Sequence, residues 1–326
     1  MKARASPNIA LIKYWGKLPA TQDLDRNLAT NPSLSLTLSR AQTLVDLEKL
    51  EDPKAADIYV HHQLASPGDR EKILQHWDRI QDYLGLPKRY GLKLKSANNF
   101  PAGTGIASSA SSYAAITAAM VAELSDGQRP PLKMSELSGL ARRGSGSACR
   151  SLEGPWVKWD GRFAQKMNSD WALRDTILIL STAHKKVPSS QGHLAATSSP
   201  FFKRRLSKVP ERIEKVESAI QRKSLQDLIP LIEEEAEELH KIVESSTPGI
   251  TYKTDETRAV LTEIRQLSSR DFGYTLDAGP NIHVLSEVSV REPLERILKK
   301  LRIVAEVWED FAGHGVEWVG STQDFG

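Results

Sequence analysis

The 326-residue chain carries 44 lysines and arginines against 41 aspartates and glutamates, which gives a formal net charge of +3. So small an excess argues against nucleic-acid binding, and no run approaches the roughly 18 apolar residues that a transmembrane helix needs. The single cysteine, Cys149, excludes an intrachain disulfide and is typical of a reducing compartment. Residues 1–7 lack the apolar run of a signal peptide. We therefore expect a cytoplasmic protein. The chain length predicts one large bilobal domain or two domains.

The first half of the chain alternates between strand and helix patterns. Apolar and polar residues alternate at 43–49 and at 58–60, which predicts two strands with one solvent-exposed face. Residues 70–84 carry apolar side chains at spacings of three and four, the pattern of an amphipathic helix. A third strand is predicted at 90–97, and the alanine-rich run 110–124 has high helix propensity. A strand, a glycine loop and a helix thus follow one another.

The second half begins with a glycine- and serine-rich cluster at 144–154. The continuous apolar run 177–180 predicts a strand that is buried on both faces. Densely charged residues with apolar stripes predict helices within 203–244 and at 255–267. Residues 274–285 are predicted to be rich in turns.

Two interpretations concern the organisation of this half. The acidic run 233–238 falls within a predicted helix, and we interpret it as a solvated helix face rather than a site. The shift toward charged helices after the apolar run predicts a lobe boundary near residues 180–188. The lobes are then residues 1–180 and residues 181–326.

Residues 101–109 (PAGTGIASS) form the first candidate site. Gly103 and Gly105 allow close approach of the backbone to an anion, and the N–H groups at the start of the following helix attract negative charge. Ser108 and Ser109 add hydroxyls that can bind phosphate or a magnesium ion. The loop lacks the Gly-Lys-Ser/Thr ending of a Walker A motif. An ordinary helix start capped by a serine is the alternative interpretation.

Two further segments place one charge among small residues. Residues 144–151 (GSGSACRS) contain Arg150, whose planar fork can bind a carboxylate through two parallel hydrogen bonds. A glycine turn with a surface arginine is the alternative. Residues 275–281 (TLDAGPN) contain Asp277, which can act as a base or orient a hydroxyl, or can simply cap the Gly-Pro turn.

The N-terminal segment 8–17 (NIALIKYWGK) has two lysines that flank two aromatic residues. Lysines among apolar residues often face phosphate groups. Lys13 and Lys17 are therefore candidate phosphate ligands, and the alternative is that they extend from a surface strand into solvent.

In this order, the segments resemble the diphosphomevalonate decarboxylase family of the GHMP kinase superfamily. Residues 8–17 and 31–38 (NPSLSLTL) are similar to the family's opening signature, and residues 98–110 (NNFPAGTGIASSA) are similar to its phosphate loop. Residues 144–151 match its arginine motif, and residues 277–281 match its aspartate motif. The similarity extends from about residue 6 to residue 285.

The resemblance implies an α/β (α+β) bilobal GHMP kinase fold with an active-site cleft between the lobes. Residues 1–180 would be the GHMP kinase N-terminal lobe with the phosphate loop, and residues 181–326 the C-terminal lobe of the diphosphomevalonate decarboxylase type. The resemblance also implies ATP as a co-substrate, Mg2+, and a phosphorylated mevalonate as the small-molecule partner. Neither a nucleic acid nor a membrane is expected as a partner, and a homodimer is expected.

The resemblance assigns roles to individual residues. The implied catalytic residues are Asp277 facing the C3 hydroxyl of the substrate, Arg150 holding its carboxylate, Asn8 orienting Arg150, and Lys13 close to the reacting phosphate. The residues implied to bind the substrate are Tyr14, Lys17, Ser145, Ser147 and Ser189. The residues implied to bind the ATP phosphates are Gly103, Gly105, Ala107, Ser108 and Ser109, with Ser109 also near the metal.

The implied activity is the ATP-dependent decarboxylation of mevalonate 5-diphosphate to isopentenyl diphosphate, with phosphorylation of the C3 hydroxyl and release of ADP, phosphate and CO2. Two alternatives stay open: a mevalonate 5-phosphate decarboxylase that forms isopentenyl phosphate, and a mevalonate-type kinase without decarboxylation. Ser190 stands where some bacterial members carry an arginine that helps to hold the diphosphate, and His193 stands where methionine is common.

Overall fold

The computed structural model describes residues 1–100, 106, 108–126, 132–182, 187–267, 271–301 and 306–320. The strands in these residues are β1 (Lys2–Ala5), β2 (Asn8–Ile12), β3 (Ser33–Thr37), β4 (Thr43–Leu50), β5 (Ala56–Val60), β6 (Gln63–Leu64), β7 (Gly91–Asn98), β8 (Trp156–Trp159), β9 (Ala164–Lys166), β10 (Leu173–Ile179), β11 (Phe272–Thr275), β12 (Ile282–Glu287), β13 (Glu306–Phe311) and β14 (Glu317–Val319). The α-helices are α1 (Pro67–Tyr83), α2 (Ser108–Leu124), α3 (Met134–Gly144), α4 (Ser189–Ala195), α5 (Phe202–Gln221), α6 (Leu225–Ser245), α7 (Asp255–Leu267) and α8 (Glu292–Lys300). Short 3-10 helices cover Asp23–Asp25, Gly146–Ser151 and Ala196–Ser198.

The largest sheet has six strands in the order β14-β1-β4-β7-β5-β6. All neighbours are antiparallel except β5 and β7, which run parallel. Ala3 of β1 lies opposite Trp318 of β14, so strands from the two ends of the described chain pair with each other. Helix α2 packs against β1 and β4, and Val45, Leu94 and Trp77 are buried in this core.

Two four-stranded sheets complete the fold. One has the order β2-β3-β8-β9, and the other has the order β11-β12-β10-β13. Helix α6 packs against β11, and it also reaches β2 of the other sheet. The boundary predicted at residue 180 stays a prediction, and strand β10, which precedes it, pairs with β12 and β13, which follow it.

Helix α1 shows how local sequence sets an element. The Ser66 side chain accepts a hydrogen bond from the Asp69 N–H, and proline occupies the first helical position, where its missing N–H costs nothing. Ile73, Trp77 and Ile80 form the buried face. The periodicity at 70–84 thus predicted the correct face. The strands predicted at 43–49 and 58–60 fall within β4 and β5, and those predicted at 90–97 and 177–180 overlap β7 and β10 and extend one residue beyond them.

The segment predicted to be rich in turns is mostly a hairpin. Strands β11 and β12 pair antiparallel, with Thr275 opposite His283, and only the residues between them form the turn. The prediction was wrong for the flanks because Gly-Pro signals dominated the local pattern, whereas the flanking apolar residues pack into a buried sheet.

The acidic run 233–238 is not a uniformly solvated helix face. Glu235 has no exposed surface and pairs with Arg205 and Arg212 of α5. Six consecutive helical residues span more than one turn, so some of them must face the protein. Because α6 is packed against both α5 and β2, position 235 is buried and its charge is compensated by arginines.

The three sheets and their covering helices give a mixed α/β architecture, as the resemblance implied. Among the helices of the described ranges, none has the length and apolar character needed to cross a bilayer. Cys149 is buried.

Candidate active site

The end of β2 and the turn after β11 meet at an ion pair between Lys13 and Asp277. Lys13 Nζ lies 2.8 Å from Asp277 Oδ1 and also donates to the Ala10 carbonyl at 2.6 Å. The Lys13 side chain is 2% exposed and that of Asp277 is 25% exposed. Lys13 is therefore not extending into solvent from a surface strand. The more open carboxylate is the member of the pair that a ligand can reach.

The charges of this pair depend on each other. Burial lowers the pKa of Lys13, and the neighbouring Asp277 opposes that shift. Burial alone would raise the pKa of Asp277, but the charge and hydrogen bond of the adjacent Lys13 ammonium, together with His283 and Arg150, outweigh burial and hold the pKa of the carboxyl below its usual range. Asp277 is therefore ionised at neutral pH and available as a hydrogen-bond acceptor.

Arg150 is buried rather than at the surface, with 3% of its area exposed. Its Nε donates to Asn8 Oδ1 at 3.1 Å, and its Nη1 donates to Ser33 Oγ at 2.7 Å. The guanidinium lies 5.6 Å from the centre of the Trp159 ring. Within the described residues no acceptor bonds Nη2, so this amino group is left for an anionic ligand.

Asn8 is fixed in one orientation. Its Nδ2 donates to the Ser147 carbonyl at 3.2 Å and to Ser151 Oγ at 2.8 Å, which turns its oxygen toward Arg150. The structure thus brings Asn8 and Arg150 into the contact that the resemblance implies.

Tyr14 and Lys17 both point toward Asn27, a residue that the sequence did not single out. Lys17 Nζ donates to Asn27 Oδ1 at 2.7 Å, and the Tyr14 hydroxyl lies 3.5 Å from the Asn27 carbonyl. Burial lowers the pKa of Lys17, and Arg26 adds to the effect. Gly146 packs so closely on Tyr14 that a Cβ there would lie 2.6 Å from the ring, so glycine is required in this part of the arginine motif.

The start of α2 lies beside the arginine motif. Ser109 is exposed, and its Oγ is 3.5 Å from Ser145 Oγ. Ser108 is half-buried in the same first turn of α2. Gly103, Gly105 and Ala107 lie outside the described residues. All of the predicted roles in phosphate and metal binding stay predictions.

His193 holds helix α4 against the end of β2. Its Nδ1 accepts a hydrogen bond from the Gly16 N–H at 3.1 Å, and its ring packs at a tilt against those of Tyr14 and Trp15, with centroids 4.2 Å and 4.5 Å away. Burial lowers the pKa of His193 well below its usual range, so the ring is neutral and its proton lies on Nε2. Ser189 lies one turn earlier on the same face of α4.

The main chain of Lys13 is bound by residues that sequence reasoning missed. Its N–H donates to Glu235 Oε1 at 2.9 Å, and its carbonyl accepts from Arg205 Nη2 at 2.9 Å and from Asn31 Nδ2 at 3.0 Å. One signal was present in the sequence, because Arg205 and Arg212 are seven residues apart and share the face of α5 that buries its valines and isoleucines. Two buried arginines require a buried acid nearby.

Two family models match this chain. The model described as the diphosphomevalonate decarboxylase-like N-terminal domain matches residues 5–169. The model described as the mevalonate 5-diphosphate decarboxylase C-terminal domain matches residues 176–320.

Curated relatives are similar over most of their length. A diphosphomevalonate decarboxylase of Debaryomyces hansenii is 33% identical over 337 residues, which cover 94% of this chain and 84% of the relative. The diphosphomevalonate decarboxylase mvd1 of Aspergillus fumigatus is 37% identical over 308 residues, which cover 85% of this chain and 74% of the relative.

Among solved structures, MDDEF in complex with MVAPP, AMPPCP and magnesium is similar to this chain with a TM-score of 0.86 and 30% sequence identity. The similarity covers 97% of each chain. Agreement over nearly the whole length confirms the predicted fold class.

Proposed function

The chain belongs to the diphosphomevalonate decarboxylase family, and on this premise we propose that it catalyses the ATP-dependent decarboxylation of mevalonate 5-diphosphate to isopentenyl diphosphate. The products besides isopentenyl diphosphate are ADP, phosphate and CO2. The observation that carries the proposal is the ion pair of Lys13 and Asp277, with Arg150 within electrostatic reach. This constellation offers one carboxylate for a hydroxyl and two cations for anions.

Asp277 acts on the C3 hydroxyl in the first step. Its Oδ1 accepts from Lys13, and no described residue bonds Oδ2, which leaves that oxygen for the substrate. The ionised carboxylate orients the hydroxyl and accepts its proton as the hydroxyl oxygen bonds to the γ-phosphorus of ATP. The bond between that phosphorus and the bridging oxygen breaks, and ADP leaves.

The second step breaks the C3–O bond that the first step activated. Phosphate departs with the electrons of that bond, and the electrons of the bond between the carboxylate carbon and C2 form the C2=C3 double bond as CO2 leaves. The Lys13 ammonium stabilises the negative charge on the departing phosphate. Arg150, fixed by Asn8 and Ser33, uses its remaining amino group to hold the substrate carboxylate in line.

ATP is the co-substrate and Mg2+ the accompanying ion, which the similar complex with AMPPCP and magnesium supports. In the described parts of the chain, no group of three or more histidine, cysteine, aspartate or glutamate side chains could hold a metal. The exposed Ser109 hydroxyl is a suitable single ligand, because Mg2+ binds through one or two protein oxygens together with phosphates and water. The ion supplies neutralisation of the phosphate charge.

We propose that the nucleoside half of ATP lies in a cavity at the β5–β6 edge of the largest sheet. The cavity has a volume of about 440 Å³ and is lined by Asp57, Tyr59, His62, Lys93, Lys95 and Ser96. Strand β7 supplies three of these residues and runs directly into the predicted phosphate loop. Tyr59 is 40% exposed and offers an aromatic ring to the base, while the lysines offer positive charge to the anionic end of the nucleotide.

The test is to measure ADP, phosphate and CO2 from ATP with mevalonate 5-diphosphate and, in parallel, with mevalonate 5-phosphate. We expect equal amounts of the three products from the diphosphate. Product formation from the monophosphate alone would show that mevalonate 5-phosphate is the substrate. Formation of ADP without CO2 would show that the protein is a kinase. No product from either substrate would overturn the proposal.

We further propose that the enzyme works in the cytoplasm as a homodimer. A lone, buried cysteine supports a reducing compartment. Light scattering coupled to size-exclusion chromatography tests the dimer, and a monomeric mass at working concentration would overturn that part of the proposal.

A further inference from the structure

The backbone of Lys13 is held by side chains rather than by a sheet partner. Strand β2 ends at Ile12, and its pairing with β3 is irregular between Ala10 and Ile12. One residue further on, both polar groups of the Lys13 main chain bond to side chains, two of them from helices α5 and α6. The segment that carries the ammonium has therefore left the sheet and depends on these side chains for its position.

Glu235 is the centre of this arrangement. It has no exposed surface, and its two carboxylate oxygens accept from Arg205 on one side and from Arg212 on the other, while Oε1 also accepts from the Lys13 N–H. A buried carboxylate is costly unless all its lone pairs are used. The cost is offset here by two guanidinium groups and one backbone N–H, which fix the carboxylate in one geometry.

Arg205 completes the grip on Lys13. It is fully buried, and its Nη2 donates both to Glu235 and to the Lys13 carbonyl, the latter at 2.9 Å. Its Nη1 donates to Asn31 Oδ1 at 3.1 Å, and Asn31 in turn donates to the Lys13 carbonyl. The N–H and the carbonyl of one residue are thus tied to the same ion pair.

We propose that Glu235 and Arg205 are positioning residues that set the Lys13 ammonium against Asp277 by gripping the Lys13 main chain. The proposal rests on the proposed function, because it assigns these residues to the reaction that Lys13 and Asp277 perform. Displacement of a reacting group by about 1 Å can lower a rate by about 100-fold. The contacts to the Lys13 main chain matter in the step in which Lys13 contacts the phosphate. Their loss should therefore lower kcat more than it weakens the binding of ATP.

Arg212 provides a matched control. It bonds to Glu235 from the far side and also to Glu234 and Glu238, but it does not touch Lys13. Arg212→Lys weakens the same buried network without removing a contact to the Lys13 backbone. A purely structural role for the network predicts similar behaviour of Arg212→Lys and Arg205→Lys.

The experiment compares Glu235→Asp, Arg205→Lys and Arg212→Lys for kcat, for KM of each substrate, and for thermal unfolding. Glu235→Asp keeps the charge but shortens the side chain by one methylene, so a folded protein is expected. We expect kcat to fall at least tenfold in the first two variants, with KM for ATP changed less than about threefold. Arg212→Lys should lose thermal stability yet keep kcat within about threefold of the wild type.

The pH dependence of kcat distinguishes the two roles, because a purely structural role of Glu235 predicts no shift of the alkaline limb. Glu235 raises the pKa of Lys13, together with Asp277 and against Arg150. Glu235→Gln removes that charge and should shift the alkaline limb of kcat to lower pH, while the limb stays in place in Arg212→Lys.

The inference is overturned if Glu235→Asp and Arg205→Lys lose stability as Arg212→Lys does but keep their kcat, and if Glu235→Gln leaves the alkaline limb in place. An inactive wild type would instead contradict the proposed function, so the two failures are distinguishable.

Discussion

Lys13 and Asp277 are 264 positions apart in the chain, yet Nζ and Oδ1 lie 2.8 Å apart. The lysine comes at the end of β2 and the aspartate in the turn after β11, so the pair joins two different sheets. The ammonium is the buried member and the carboxylate the accessible one. A substrate hydroxyl can therefore meet the carboxylate while the lysine stays behind it, out of bulk water.

Asp277→Asn should nearly abolish turnover. The amide keeps the size of the carboxylate but cannot accept a proton, and we expect kcat to fall by about 100- to 10,000-fold. ATP binding, measured by calorimetry, should change little, because no contact of Asp277 to the α2 region is seen among the described residues. Activity within about threefold of the wild type would remove Asp277 from the chemical step.

The ionisation of Asp277 should depend on Lys13. In the wild type the pKa of Asp277 lies below its ordinary value of 3.8, so its contribution to stability is present above that value and is lost only as the pH falls through the lower, folded-state pKa. In Lys13→Met the ammonium is gone but burial persists, and burial raises the pKa of a carboxyl. Carbon-13 NMR of the carboxyl should show a titration midpoint below 3.8 in the wild type and a midpoint at higher pH in Lys13→Met.

The signal can be assigned by its loss in Asp277→Asn. An identical titration in the wild type and in Lys13→Met would show that Lys13 does not control the carboxyl, and it would contradict the electrostatic role given to the ion pair.

Local sequence patterns predicted the helices and strands whose side-chain pattern repeats every few residues. The spacing of Ile73, Trp77 and Ile80 predicted the buried face of α1, because a helix repeats its faces every three to four residues. The motifs around Asn8 and Arg150 led to residues that are in contact. These predictions depend on short-range geometry or on a motif that is contiguous in the sequence.

Long-range relationships could not be predicted in this way. Nothing in a local window shows that Ala3 lies opposite Trp318, or that Glu235 lies behind Lys13. A run of glutamates on a charged helix is usually solvated, and only the packing of α6 on both α5 and β2 reverses that expectation for position 235. Tertiary packing determined these long-range contacts, and the local sequence pattern contained no information about that packing.

Arg150→Lys should not be conservative. Arg150 makes two hydrogen bonds in different directions, to Asn8 and to Ser33, and a lysine ammonium cannot reproduce the fork. Loss of one charge-assisted bond of about 1.5–3 kcal/mol predicts a fall in kcat/KM of about 10- to 160-fold. Arg143→Lys, in helix α3, is the control and should change kcat/KM less than threefold, because Arg143 pairs with Asp23 at 3.8 Å and lies over the Tyr83 ring. Equal kcat/KM values for Arg150→Lys and the wild type would refute the assignment of Arg150 to the substrate carboxylate.

The cavity at the β5–β6 edge predicts which substrate is affected by changes there. Lys95→Ala and Tyr59→Ala should raise KM for ATP severalfold, because each removes a group that lines the cavity, while KM for mevalonate 5-diphosphate and kcat change little. Lys166→Ala, at an exposed lysine of β9, is the control. If the two cavity variants leave KM for ATP unchanged, the nucleoside binds elsewhere.

Two buried histidines predict that the fold weakens as the pH falls below about 6.5. Burial lowers the pKa of His76 and of His240 to about 3, so in the folded protein both stay neutral while in the unfolded chain both gain a proton near their ordinary value of 6.5. Since the unfolded state then binds more protons, the free energy of unfolding falls with falling pH by about 1.4 kcal/mol per pH unit for each histidine. This loss begins near pH 6.5 and continues toward pH 3.

Denaturant unfolding at several pH values between about 5 and 7.5 measures the slope. His76→Gln, which keeps a side-chain donor for Thr117 Oγ1, should reduce the slope by about one such increment, and so should His240→Gln. Slopes equal to that of the wild type in both variants would show that these histidines are protonated in the folded protein.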